Sequence, residues 1–342
     1  MHFQSIQYLR AAAVIMVVFF HAAGPNIGSL GAAGVDIFFV ISGFVMWVIT
    51  ETRETSVTNF VYHRVVRIVP LYWIFTLALA GAFMVAPQVF PTLKVTPSHL
   101  IKSLLFVPHV DPTDGQISPV LRPGWSLDYE MFFYSIFATS LILGKKFRIT
   151  LILGALLLLP LLGIIFHPEA PILLTYSNPI MLEFLGGAIF GFLYLRGMPL
   201  NAIWATTLFI VGMIAFAIVG MEDPVPEHLR VLFWGVPGIL LVVGLVSLEQ
   251  TTGIPQIKSL ELLGDASYSI YLSHTIIISA TYRFANWLGV FERIRGIGVF
   301  IIATMAISIL CGLVVYVALE RPLLEILRRF ATTNFLPKPK LQ

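Results

Sequence analysis

The chain has 342 residues, 58% hydrophobic and only 11% charged. Soluble domains carry about 25% charged residues, so the composition excludes a soluble globular protein, and a scattered net charge of +3 excludes a nucleic-acid-binding surface. Continuous apolar runs of about 20 residues, not alternating ten-residue segments, exclude a β-barrel and predict an all-α polytopic membrane protein with about ten transmembrane helices.

Ten apolar segments are expected to span, at 6–23, 34–50, 68–86, 127–143, 149–166, 176–195, 201–219, 229–247, 267–286 and 297–319. The first contains Arg10 and His21. Eleven residues of helix put both side chains on one face, about 16 Å apart along the axis. An ionisable group at membrane depth costs several kcal/mol unless something specific holds it. The pair therefore predicts a polar interior into which both point. Arg10, and the lack of a small-residue cleavage site, make this a retained span and not a signal peptide.

The second segment opens at Asp36 after the turn GSLGAAGVD, which returns the chain to the level of His21. Asp36 either meets His21, orienting its tautomer for general-base work, or caps the helix N-terminus. Ser42, in FFVISGF, reads as small-residue packing. Before the third segment, HRVVRIVPLYW places His63, Arg64 and Arg67 together by i, i+3 and i, i+4 spacing. They form either a phosphate clamp or plain cytoplasmic anchoring.

One connection is long, 87–126. Its apolar piece Leu100–Val107 is too short to cross and predicts an interfacial or re-entrant helix. The strip DPTDGQISPVLRPGWSLDYE is either a cover over a site or a simple connector. It leads to Glu130, a candidate acid/base group or arginine partner, and contains Trp125, a candidate for substrate contact. In MLEFLGGAIFG, Gly186, Gly187 and Gly191 predict close helix packing, and a buried Glu183 needs a cation or donor. His274, in SYSIYLSHTIII, is a candidate substrate contact or a hydrogen bond to a neighbouring helix. Glu320 reads as edge chemistry beside Arg321.

Gly24-Pro25, Pro160, Pro179 and Pro224-Val225-Pro226 punctuate the connections. Residues 1–330 read as one transmembrane domain and 331–342 as a short basic tail. With the N-terminus inside, thirteen of the 21 Lys and Arg residues fall inside and seven outside, which favours an N-in, C-in topology. The single cysteine, Cys311, excludes an intrachain disulfide, and no metal site is expected. P-loop, G-x-S-x-G and H-E-x-x-H motifs are missing from the sequence.

In order and spacing, IQYLRAAAVIMVVFFH, GAAGVDIFFVISGF, FVYHRVVRIVPLYW, RPGWSLDYEMFFY, LGDASYSIYLSH and ALERPLL resemble the acyltransferase-3 family of bacterial integral membrane acyltransferases, in its exopolysaccharide-production branch. The resemblance implies transfer of an acyl group, usually acetyl, from cytoplasmic acyl-CoA to a hydroxyl of a surface polysaccharide or its lipid-linked precursor. It implies a multi-pass protein of the bacterial inner membrane with no permanently bound cofactor. By matched position it makes His21 the catalytic histidine, Arg10 its companion, Arg64 and Arg67 the pair that meets the CoA phosphates, and Glu130 the acidic residue after Trp-Ser. Direct attack by the sugar hydroxyl and an acyl-histidine relay both fit. A polytopic saccharide transporter or flippase is the competing class. It is expected to show pseudo-repeats and broken helices in matched halves, and the sequence carries none. A purely structural subunit leaves Arg10 and His21 unexplained. Nothing in the sequence sets an oligomeric state.

Overall fold

The computed structural model describes residues 3–24, 30–52, 56–198, 200–220, 225–226, 229–289 and 297–334. Pro25, Pro224, Arg53, Arg293, Arg295 and the tail lysines Lys338 and Lys340 lie outside the described residues. The helices are α1 (Gln4–Ala23), α2 (Gly34–Thr52), α3 (Val57–Val85), α4 (Pro97–Leu104), α5 (Trp125–Ile142), α6 (Lys145–Phe166) and α7 (Pro171–Tyr176). They continue as α8 (Met181–Leu195), α9 (Ala202–Gly220), α10 (Val236–Thr252), α11 (Lys258–Asp265), α12 (Ser267–Trp287), α13 (Ile297–Val315) and α14 (Arg321–Asn334). Two π-helical turns, Val231–Gly235 and Tyr316–Glu320, lead into α10 and α14. Among the described residues β pairing is limited to one bridge, Val110–Ile117.

Eight helical stretches among the described residues are long and apolar enough to cross a bilayer, making this a multi-pass membrane protein. The other two expected spans, α5 and α12, are helices of 18 and 21 residues. Their hydropathy is held down by WSLDYE and by SYSIYLSH, the polar residues that form the site below.

Boundaries differ from the hydropathy reading where polar residues continue a helix. The third span begins at Val57, not at 68, because YHRVVR is already helical and Ser56 Oγ accepts the Asn59 N–H (3.2 Å) as its cap. The sixth is broken into α7 and α8, with Asn178 Oδ1 accepting the Ile180 N–H (2.9 Å) across Pro179. Pro160 sits inside α6, not in a connection. The short helix of the long connection is displaced towards Pro97, where Thr96 Oγ1 caps the His99 N–H at 3.1 Å. The last helix runs on through the π-turn to Asn334, past the expected end at 319.

Burial separates the layers. The stretch containing α2 is 72% buried within the protein, whereas those of α6 and α9 are 17% buried and turn residues such as Leu157 and Ile203 outward to lipid. Lipid removes the hydrophobic drive for helix pairing, so close contact rests on small residues. A Cβ on Gly43 would lie 2.0 Å from the Phe184 carbonyl oxygen, and one on Gly187 would lie 2.0 Å from that of Val40. These glycines bring α2 and α8 into backbone contact, as the Gly186–Gly191 run predicts.

The first turn of α1 has no side-chain cap of its own. Glu249 of α10 supplies one, accepting the Gln4 N–H (2.8 Å), the Ser5 N–H (3.0 Å) and the Ser5 hydroxyl. The end of the molecule holding this cap is called the N-terminal face. The opposite end, holding the long connection, is called the loop face.

Candidate active site

A cavity of about 600 Å³ penetrates the bundle from the N-terminal face. Arg10, His63, Arg64, Arg67, Glu130 and Arg328 all line it. Five of the six were singled out from sequence, and α1, α3 and α5 bring them together. Arg328 was not, because α14 lies beyond the expected last span. Its position follows from a hydrogen bond between Tyr62 OH and the Leu327 carbonyl (2.7 Å), which ties α14 to α3.

Four arginines face one glutamate among these lining residues, so the chamber favours an anion. Arg10 donates to Ser267 Oγ on α12 (2.8 Å) and sits near Glu320, Asp265 and Glu130. Arg64 stacks over the Tyr134 ring at 5.9 Å, and its Nε is buried with no hydrogen-bond partner. That nitrogen is a donor lacking an acceptor, and burying one costs about 1–3 kcal/mol. Glu130 accepts from Ser42 Oγ (2.8 Å) and from Tyr134 OH. Ser42 thus corrects the reading of it as packing: its hydroxyl points into the chamber and fixes the carboxylate.

Arg10 and His21 do not share this chamber. His21, in the last turn of α1, is exposed at the loop-face end. Its Nδ1 lies 3.0 Å from the Val17 carbonyl and 3.3 Å from Nε2 of the fully buried His274. His274 Nδ1 in turn faces the Tyr271 carbonyl. Carbonyls only accept, so both Nδ1 atoms carry hydrogen, and a neutral His21 has its lone pair on Nε2. His274 is therefore the neighbour that orients His21, across the α1–α12 contact. The two regions meet at Tyr271, which lines the chamber, donates or accepts at Ser126 Oγ (2.8 Å), and has its ring tilted against that of His274 with centroids 5.6 Å apart.

The expected Asp36–His21 pairing is not formed. Asp36, fully buried in the first turn of α2, receives two bonds from Arg230, at 2.9 Å from Nε and 2.7 Å from Nη2. Bidentate guanidinium geometry outcompetes a single imidazole bond. Glu183, also fully buried, stands beside the pair, but neither of its carboxyl oxygens has a hydrogen-bond partner, so Arg230 is a neighbour and not its ion-pair partner. Arg230 also lies 5.7 Å over the Trp125 ring.

Trp125 belongs to a second cavity, of about 420 Å³, on the loop face. Val110, Gln116 and Ile117 of the long connection line it, so that connection covers a cavity. It is held in place by Tyr72 OH on the Ser103 carbonyl (3.1 Å), Trp73 Nε1 on the Leu104 carbonyl (2.8 Å) and the Arg122–Asp114 ion pair. The buried residues His99, His109 and Asp111 form its core. Burial lowers the His99 imidazole below its ordinary value, with the nearby Asp111 opposing and His109 adding to the effect.

The family model described as "Acyltransferase domain" matches residues 3–314. The chain is 39% identical to "Exopolysaccharide production protein ExoZ" of Rhizobium meliloti (strain 1021), over 90% of this chain and 94% of that protein. It is 26% identical to "Acyltransferase MdmB" of Streptomyces mycarofaciens, over 92% of this chain and 86% of that one. It is also 26% identical to "Peptidoglycan O-acetyltransferase OatA" of Listeria monocytogenes, over 81% of this chain and 49% of that one. No solved structure matches.

Proposed function

This chain belongs to the acyltransferase-3 family, and we propose that it is a membrane O-acyltransferase of the bacterial inner membrane, crossing it ten times with both termini in the cytoplasm. It moves an acetyl group from cytoplasmic acetyl-CoA to a hydroxyl of an exopolysaccharide or its lipid-linked precursor. The observation that carries this reading is the convergence of Arg10, His63, Arg64, Arg67 and Arg328 on one chamber that opens at the N-terminal face. Guanidinium groups match phosphate oxygens in pairs, and CoA brings several phosphates.

The CoA phosphates engage Arg64, Arg67 and Arg328, and the pantetheine arm runs past Arg10 towards Tyr271 and the His274–His21 pair. About 16 Å of α1 separates Arg10 from His21, so Arg10 steadies the arm and does not reach the reacting carbonyl. At the loop-face end, His21 Nε2 takes the proton of the acceptor hydroxyl. The freed oxygen bonds to the acyl carbon as the carbon–sulfur bond breaks, and the departing thiolate recovers the proton. Phe38 and Tyr271, both lining the chamber with ring centroids 6.2 Å apart, part to admit the thioester.

The experiment is incubation of purified protein in liposomes with radiolabelled acetyl-CoA and saccharide acceptors. Label on the saccharide supports the transferase. Translocation of unlabelled saccharide with no transfer supports the flippase instead.

A further inference from the structure

The first turn of α5 divides the two cavities. Trp125, Asp128 and Tyr129, spaced i, i+3, i+4, face the loop-face cavity, while Ser126, Leu127 and Glu130 line the chamber on the other side. Asp128 is 4% exposed, and its Oδ1 is buried without a hydrogen-bond partner. An acceptor oxygen left that way is uncommon and calls for a donor. Gln116, Glu169 and Asn178 add polar groups around it, Trp125 and Tyr129 add flat apolar walls, and no Lys or Arg is among the described lining residues. At about 420 Å³ the cavity is within the range of small-ligand sites.

Resting on the acyl-transfer function proposed above, we propose that this cavity is the acceptor subsite, binding an uncharged sugar ring with a hydroxyl that donates to Oδ1 of the Asp128 carboxyl group and an apolar face that lies against Trp125 and Tyr129. Glu169, a carboxylate at the exposed rim, together with the lack of any Lys or Arg among the described lining residues, turns away uronic acids and other anionic sugars. Asp128 is thus a specificity residue on the opposite side of the helix turn from Glu130.

The test uses the purified full-length protein and hydrogen–deuterium exchange of segments 110–117 and 169–178, with glucose, galactose, cellobiose and glucuronate as probes. At least one neutral sugar is expected to protect both segments, glucuronate at least tenfold more weakly. Asp128→Asn should weaken the neutral sugar at least tenfold and leave acetyl-CoA binding unchanged. Should that variant not fold, Glu169→Gln at the exposed rim is expected to weaken the sugar at least threefold and to relax the discrimination against glucuronate. No protection by any neutral sugar, equal protection by glucuronate, or unchanged affinity in the variant that folds overturns the subsite. Acetyl transfer without protection of these segments removes the subsite and keeps the transferase. Protection without transfer to any acceptor removes the transferase and keeps the sugar site.

Discussion

Replacing Asp36 by Asn tests whether this carboxylate serves Arg230 or His21. Asp36 is fully buried and the Arg230 side chain only 22% exposed, and two charge-assisted bonds join them. Removing one member of a buried ion pair costs about 3–5 kcal/mol, mostly by leaving the other charge uncompensated. Glu183 stands beside Arg230 without a hydrogen bond to it, so it does not replace the lost partner and the expectation is the middle of that range, about 4 kcal/mol. Arg230→Met added to Asp36→Asn removes the stranded cation, so the double variant should recover about 1–3 kcal/mol relative to additivity. Denaturant unfolding in mixed micelles measures both. Stability within about 0.5 kcal/mol of wild type, together with a shifted pH profile of activity in Asp36→Asn, would refute the pairing and restore Asp36 as the partner of His21.

Arg64→Ala combined with Arg67→Ala should raise the KM for acetyl-CoA at least tenfold and leave the acceptor KM unchanged; an effect on acceptor alone rejects the phosphate clamp. Glu249→Ala removes the cap of α1 and should cost about 1–2 kcal/mol, seen as a lower unfolding midpoint, whereas an unchanged midpoint shows that water caps the helix equally well. The His99 imidazole is held below its ordinary pKa of 6.5 in the folded protein. The unfolded state therefore binds more protons as pH falls through 6.5, and the stability of the 96–121 segment is full above that pH and declines below it. Limited proteolysis should cut this segment faster at pH 5.5 than at pH 7.5, and His99→Leu should abolish the difference.

The apolar runs reveal the fold because lipid demands about 20 residues per crossing. Their polar interruptions reveal the chamber: Arg10, Arg64, Arg67 and Glu130 stand out against apolar neighbours, and the structure gathers them. What stays hidden is which polar group meets which. Arg230 lies 194 residues from Asp36, in a segment that reads as an ordinary external cation, so nothing local announces their pairing. Ser42 is small, sits among Phe, Ile and Gly, and looks like packing; only its place opposite α5 makes it the donor to Glu130. His274 shows the converse. Its alternative reading as a hydrogen bond between helices describes its contact, but only the fold identifies the partner as His21. The start of α3 was hidden because the arginines that build the site also depress the hydropathy by which spans are recognised.

The most direct test compares wild type with His21→Ala, following label from radiolabelled acetyl-CoA to saccharide and measuring acetyl-CoA binding to each protein. General-base assistance is worth about 10²–10⁴-fold. Transfer should fall by at least about 10²-fold with acetyl-CoA binding intact. Near-normal transfer by His21→Ala would contradict the placement of the chemistry at His21.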